Sequence, residues 1–277
     1  MQVMIAAVIG AEGKMGVWLQ DHLPKIGFDV TCFDERKGDD PGVLYNADIV
    51  IVSVPVAVTR EVIRKTVKHM RKESTLVEIA SIKAGIHEEM IEASRSGIEA
   101  VSLHPMFGPS VKDLTEKTVA VVPVVDADKE SEVAFMLFPG ATLVEVELAQ
   151  HDKLMAHILS VPYLVNMALA ASMENVDLSL LKQLSGTSFA LQYTLVQSVA
   201  GETTSLVHAL LSENSHLEET AETLISNMKE LMCSVGSKDE FKELHDGIRG
   251  KMMEDPSHVK APELRQAAYN AVKPLLR

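Results

Sequence analysis

Short β-branched runs at 4–9, 29–33, 48–54, 75–79, 98–103, 118–125 and 142–146 punctuate the first 147 residues, and most of the segments between them carry a helical apolar period. Strand and helix in alternation predict a parallel, doubly wound α/β sheet. The stretch 34–47 is the exception. It is acidic and holds Lys37-Gly-Asp-Asp-Pro-Gly42, so this crossover has little or no helix. After Glu147 the pattern changes, and from Ala149 onward only helical periodicity is present. It is broken at Pro162, at 185–188, near Gly201, at Gly236 and at 255–256. Two domains are expected, an α/β domain over 1–147 and an all-helical domain over 148–277.

Leu154, Met155, Ile158, Leu159, Val161, Leu164, Val165 and Met167 nearly encircle one helix. Apolarity on all sides means burial on several sides. Either the chain's own bundle encloses this helix or a second copy covers it, and a two-fold homodimer through the helical domain is the expectation.

Composition narrows the function. Of the 277 residues 47% are apolar and 23% charged, as in a folded globular protein. With 26 basic against 39 acidic residues, the net charge of -13 disfavours nucleic acid and anionic membrane surfaces. Cys32 and Cys233 lie far apart and make neither a disulfide framework nor a metal spacing, which suits a reducing cytoplasm. The chain enters a strand at once, without a basic leader, and no uninterrupted apolar run approaches 18 residues. Neither export nor membrane insertion is expected.

Ile9-Gly10-Ala-Glu-Gly13-Lys14-Met15-Gly16 directly follows the first run and opens a helix. That is the setting of a dinucleotide-binding turn in a Rossmann-type domain. Gly13 lets the backbone approach a pyrophosphate, Gly16 allows helix to pack on strand, and the helix amides meet the phosphates. The first glycine of the usual fingerprint is displaced, since Ala11 stands there and Gly10 precedes it. Asp34 ends the second run 18 residues after Gly16, where a carboxylate can bind ribose hydroxyls, so NAD is favoured over NADP. Arg36 and Lys37 follow closely and could rescue NADP binding. Ser53-Val-Pro55 either borders the cofactor or simply leaves its strand. His104-Pro-Met-Phe-Gly-Pro109 places an imidazole on a turn after the fifth run, at the carboxyl edge of the sheet where ligands collect. There it can act as a base, with a pKa near the ordinary value of about 6.5.

Taken in order, Gly10-x-x-Gly13-x-Met15-Gly16, Ser81-Ile-Lys83, His104-Pro-Met-Phe-Gly-Pro109 and His151-Asp152-x-x-Met155-Ala156 resemble the prephenate dehydrogenase family over about residues 1–165. The glycine turn alone is shared with β-hydroxyacid dehydrogenases. The resemblance implies an NAD-dependent oxidoreductase of tyrosine biosynthesis. Such an enzyme decarboxylates prephenate to 4-hydroxyphenylpyruvate, or arogenate to tyrosine, while oxidising it, and no regulatory or mutase domain is expected. It makes His104 the base toward the substrate hydroxyl, with Ser81 between it and the nicotinamide and Lys83 two residues on. Read without the family, Ser81 and Lys83 are a helix N-cap and a solvated lysine. His151 and Asp152 are expected to serve in capping and interdomain packing rather than in catalysis.

The later pattern departs from the family. Tyr163 stands where a second histidine is usual, and Ala190 and Ser198 where arginines commonly hold substrate carboxylate. Lys182 is the only Lys or Arg from 154 to 228. A buried carboxylate needs a cation or several donors. Lys83, Lys112, Lys182, Arg249, Arg265 or a partner chain must therefore supply it, or the substrate differs. A divergent enzyme acting on another small hydroxy compound is thus the alternative, and a non-catalytic NAD-binding protein is a third.

Overall fold

The computed structural model describes residues 3–276. It forms two compact units, one of residues 1–155 with 208–215 and one of 156–207 with 216–277. The first unit thus runs eight residues past the expected boundary at 147 and takes in a second short stretch.

The first unit contains all seven expected strands: β1 (Ile5–Ile9), β2 (Asp29–Phe33), β3 (Ile49–Val52), β4 (Thr75–Glu78), β5 (Glu99–Pro105), β6 (Thr118–Val121) and β7 (Thr142–Glu145). Their order is β2-β1-β3-β4-β5-β6-β7. The first five pair in parallel, but β6 runs antiparallel to β5. The sheet is therefore mixed rather than wholly parallel, because the chain returns from β5 to β6 through a loop instead of a helical crossover.

Five helices, α1 (Lys14–His22), α2 (Gly42–Asn46), α3 (Val56–Val67), α4 (Ile86–Arg95) and α5 (Ala127–Leu137), fill the connections. The crossover at 34–47 holds only a 3-10 turn and the five-residue α2, as its glycine and proline content predicts.

Alternation along each strand divides the core in two. Ala6, Val8, Ile49, Ile51, Val77, Val101 and Leu103 join Leu19 of α1 and Val133, Ala134 and Leu137 of α5 on one face. Ala7, Ile9, Val50, Val52, Leu76 and Ala100 join Ile63 of α3 and Met90 of α4 on the other. Ile49–Val52 is buried at every position, as a strand with both faces covered must be.

Helical conformation is continuous from Leu148 to Ser172, through α6 (Leu148–Met155), a π-helical turn (Ala156–Ser160) and α7 (Val161–Ser172). Pro162 does not break it, because it follows directly on the π-helical turn, where the regular i→i−4 ladder is already interrupted. The second unit adds α8 (Leu178–Gln183), α9 (Thr187–Ala200), the start of α10 (Thr204–Ser212), α11 (Leu217–Ser234), α12 (Lys238–Met252) and α13 (Ala261–Val272). Within it α9 packs against α7 and α13, and α11 against α12.

The expected enclosure of the apolar helix does not occur within the chain. Ile158 is 49% exposed, Val165 38% and Met167 37%. By length and composition Leu148–Ser172 could even cross a membrane, at a mean hydropathy of 1.6, so its apolar character reaches further than the sequence reading allowed.

Candidate active site

The glycine turn is built as its sequence requires, and Gly10 takes a part that the sequence did not assign to it. Gly10 has φ +84°, a conformation suited to glycine, and a Cβ there would collide with the Ser53 carbonyl. Ser53 is thus the floor beneath the turn, anchored by its amide to Ile9 O at 2.8 Å. A Cβ on Gly16 would strike Gly10 O, which makes Gly16 the close contact of helix on strand. Gly13 caps α1, and a Cβ there would meet nothing nearer than Gly10 O at 3.3 Å.

Lys14 and Met15 open the helix. Met15 packs toward the core, and no acidic residue lies in the first turn. An uncluttered helix N-terminus behind an exposed glycine fits a pyrophosphate. Pro55, exposed, caps α3 at the end of the neighbouring strand.

Asp34 lies beyond β2, with both carboxylate oxygens held by Arg36, at 3.0 Å from Nε and 2.8 Å from the terminal nitrogen. These hydrogen bonds hold its pKa below the ordinary carboxylate value. Arg36 is thereby turned onto Asp34, while Lys37 pairs with Glu12.

His104 lies within β5, opposite Ala120 of β6, and not on the following turn; it is only 4% exposed. The antiparallel pairing with β6 extends the strand through Pro105 and fixes the imidazole to a rigid element. The loop beyond is pinned by Trp18 of α1. Its indole donates to Val111 O at 2.7 Å and meets Phe107 edge-on at 5.4 Å.

Ser102, two residues before His104, shares its sheet face and sits in register with Glu78 of β4. Glu78 accepts hydrogen bonds from Ser102 Oγ, from Ala80 N at 2.8 Å and from Lys83 Nζ at 2.5 Å. The Lys83 ammonium is wholly buried and also donates to Leu103 O at 2.7 Å, in the peptide that leads into His104. Desolvation lowers its pKa against the opposing pull of Glu78.

The solvated-lysine alternative therefore fails, and so does Lys83 as the cation for a substrate carboxylate, since its ammonium is wholly buried and turned onto Glu78 and the Leu103 carbonyl. Nor does Ser81 cap the next helix, because that place belongs to Gly85. Ser81 is half-buried in the bend after β4.

His151 and Asp152, expected to do no more than cap and pack, join the centre. His104 Nδ1 lies 3.2 Å from His151 Nε2, and His151 Nδ1 lies 2.7 Å from Asp152 Oδ1. Asp152 also accepts from Lys83 N at 2.9 Å and Ala84 N at 2.7 Å, and Asn214 Nδ2 donates to its carbonyl at 2.8 Å. Burial raises the Asp152 pKa, but the hydrogen bonds from His151 and the Lys83 amide outweigh it and leave it lowered.

The His104 imidazole is held well below the ordinary histidine value, by burial first and then by the charges of Lys83 and His151. It is therefore neutral, in its basic form, at the pH where an ordinary histidine is half protonated. That revises the expectation of an ordinary pKa. The sequence did carry one signal of this network, the lone acid Glu78 inside the apolar run Thr75-Leu-Val-Glu-Ile-Ala80.

Residues 20–135 match the prephenate dehydrogenase nucleotide-binding domain and residues 147–249 the prephenate dehydrogenase dimerization domain. The chain belongs to the prephenate dehydrogenase family. It is 27% identical to a protein of Methanocaldococcus jannaschii named as a probable arogenate/prephenate dehydrogenase, over 95% of this chain but only 63% of that relative. It is 26% identical to a 4-amino-4-deoxyprephenate dehydrogenase of Streptomyces pristinaespiralis, over 89% of this chain and 90% of the relative. The crystal structure of A. aeolicus prephenate dehydrogenase in complex with hydroxyphenyl propionate and NAD+ superposes with a TM-score of 0.67 at 18% identity, covering 92% of this chain and 99% of that one. This last likeness is one of fold.

Two predictions test this construction. Gly16→Ala forces a backbone contact apart and should lower stability by about 1–3 kcal/mol, whereas Gly13→Ala should spare the melting temperature and instead weaken NAD binding in calorimetric titration. A Gly13→Ala variant with wild-type affinity would remove the pyrophosphate from this turn. Lys83→Met strands a buried carboxylate and should cost about 3–5 kcal/mol in denaturant unfolding. Replacing Glu78 by Met as well should recover much of that loss.

Proposed function

We propose that this protein is an NAD-dependent dehydrogenase that oxidatively decarboxylates prephenate to 4-hydroxyphenylpyruvate, or arogenate to tyrosine. The observation that carries the reading is a neutral His104, fixed at the carboxyl end of β5 in the position of the family's base. With Nδ1 committed to His151, Nε2 is the nitrogen left to take the substrate hydroxyl proton. Bound NAD supplies the acceptor for the ring hydride. Loss of carbon dioxide then aromatises the ring. Ser81, half-buried in the bend after β4, is by the family resemblance the residue between His104 and the nicotinamide.

A second reading is favoured by the near full-length match to the 4-amino-4-deoxyprephenate dehydrogenase. An amine would then replace the hydroxyl that faces His104; the carboxylates are the same, so the departures at Ala190 and Ser198 call for another cation on either reading. We further read the protein as a cytoplasmic homodimer. Its two cysteines are unpaired, the helical half matches a dimerization domain, and Met228, Met232, Val235, Ile248 and Met252 present apolar surface. On this reading the apolar helix Leu148–Ser172 serves a subunit contact rather than a lipid one.

Formation of reduced nicotinamide, followed in parallel with prephenate, arogenate and 4-amino-4-deoxyprephenate, decides the substrate; no turnover of any of the three rejects the assignment. On the accepted substrate His104→Asn should lower kcat by about 10²- to 10⁴-fold with NAD affinity retained, and an unchanged kcat would remove His104 as the base. NAD should bind more tightly than NADP, because Asp34 repels a 2′-phosphate and holds Arg36 away from it. Asp34→Ser, which frees Arg36, should narrow or reverse the preference, and tighter NADP binding by the unaltered protein would contradict this account of the pocket.

A further inference from the structure

His104 presents a difficulty as a base, since burial and the Lys83 ammonium that keep it neutral also make it a poor place to leave a proton. We propose that the proton does not stay there: His151 and Asp152 form a relay that draws it from His104 onto His151. The inference rests on the reading of His104 as the base.

Four observations carry it. The three side chains lie in series, at 3.2 Å from His104 Nδ1 to His151 Nε2 and 2.7 Å from His151 Nδ1 to Asp152 Oδ1. All three are buried, His151 completely, so water does not compete for the path. Asp152 is fixed by the Lys83 amide, shared between Oδ1 and Oδ2, and by the Ala84 amide on Oδ2, which hold its charge in place while Oδ1 also meets the imidazole. Its backbone carbonyl is tied down by Asn214, so the carboxylate does not move when the charge beside it changes.

The hydrogen-bond directions then follow. An anionic Asp152 can only accept, so His151 carries its proton on Nδ1 and presents Nε2 as an acceptor. His104 must therefore donate from Nδ1, which leaves its Nε2 lone pair for the substrate. When the substrate O–H bond breaks, an N–H bond forms at His104 Nε2. The Nδ1–H bond of His104 breaks as an N–H bond forms at His151 Nε2. His104 ends neutral in the other tautomer, and the imidazolium is His151, beside the Asp152 carboxylate. Electrons move only in the hydride transfer. After product leaves, the Nε2 proton of His104 passes to solvent and His151 returns the other to Nδ1.

Lys83 sets the direction of transfer. Its ammonium lies against the carbonyl that precedes His104, so a positive charge on His104 is opposed, while one on His151 is met by Asp152. His151 and Asp152 are positioning residues in this scheme, since neither touches the substrate.

The test has an arm that needs no turnover. In the protein labelled with ¹⁵N-histidine and free of cofactor, NMR should show one proton shared between His104 Nδ1 and His151 Nε2, with the imidazolium on His151 when the pair takes up a proton. An imidazolium on His104 overturns the relay, whatever the substrate proves to be. The kinetic arm uses His151→Gln and His151→Phe. Glutamine can bond both neighbours but cannot pass a proton. Both variants should lower kcat at unchanged NAD affinity, by less than the roughly 10²- to 10⁴-fold that loss of the base itself costs, and a curved proton inventory in the wild type should become linear. Recovery of kcat in His151→Gln alone would reduce His151 to a spacer and overturn the proposal. Absence of turnover with every substrate would instead count against the reading of His104, and the NMR result would still decide the relay.

Discussion

An ammonium group without water organises the carboxyl edge of this sheet. Lys83 is buried completely, and its charge is tolerable only because Glu78 lies 2.5 Å away and the Leu103 carbonyl accepts a second bond. Those two partners belong to β4 and β5, so the requirement for a paired charge also locks the two strands at the level where His104 emerges. The main-chain amide of the same residue holds Asp152 of α6. One residue thus grips the strand of His104 with its side chain and the aspartate behind the histidine pair with its backbone. Replacing such a pair with apolar residues can cost a fold little. Here it would also remove a charge that, after burial itself, helps hold His104 well below the ordinary histidine value.

The sheet was legible because its strands are buried on both faces and announce themselves as β-branched runs between breakers. β6 was found, but its direction was not, since nothing in Thr118–Val121 distinguishes a strand that returns from one that crosses over. The glycine turn was legible as a motif, and so was the packing role of Gly16. That Gly10 carries the positive φ over Ser53 was not, because it depends on a strand 43 residues away.

The site was half legible. His104 could be picked out by its place after a strand, whereas His151 and Asp152 looked like the start of any helix. Their part depends on a contact across 47 residues of chain, between His104 and His151, which no local pattern encodes. Lys83 misled for a related reason. A lysine three residues before a helix is ordinarily solvated, and its burial follows only from the acid at Glu78, which pairs with it across five residues of bent chain. That acid, placed in an otherwise apolar strand, was the readable clue, because a charge in a fully covered sheet needs a partner.

The distribution of these groups bears on how the family diverges. Every residue placed in proton handling, from Glu78 and Lys83 through Ser102 and His104 to His151 and Asp152, belongs to the first compact unit, as does the glycine turn. The departures from the family pattern, at Tyr163, Ala190 and Ser198, all fall in the second unit. Proton transfer demands distances near 3 Å and a desolvated field, and neither survives small changes, so that machinery is held by packed strands. The histidine pair and its buried lysine thus lie wholly within one unit, where a single exchanged side chain would disturb every hydrogen bond of the set.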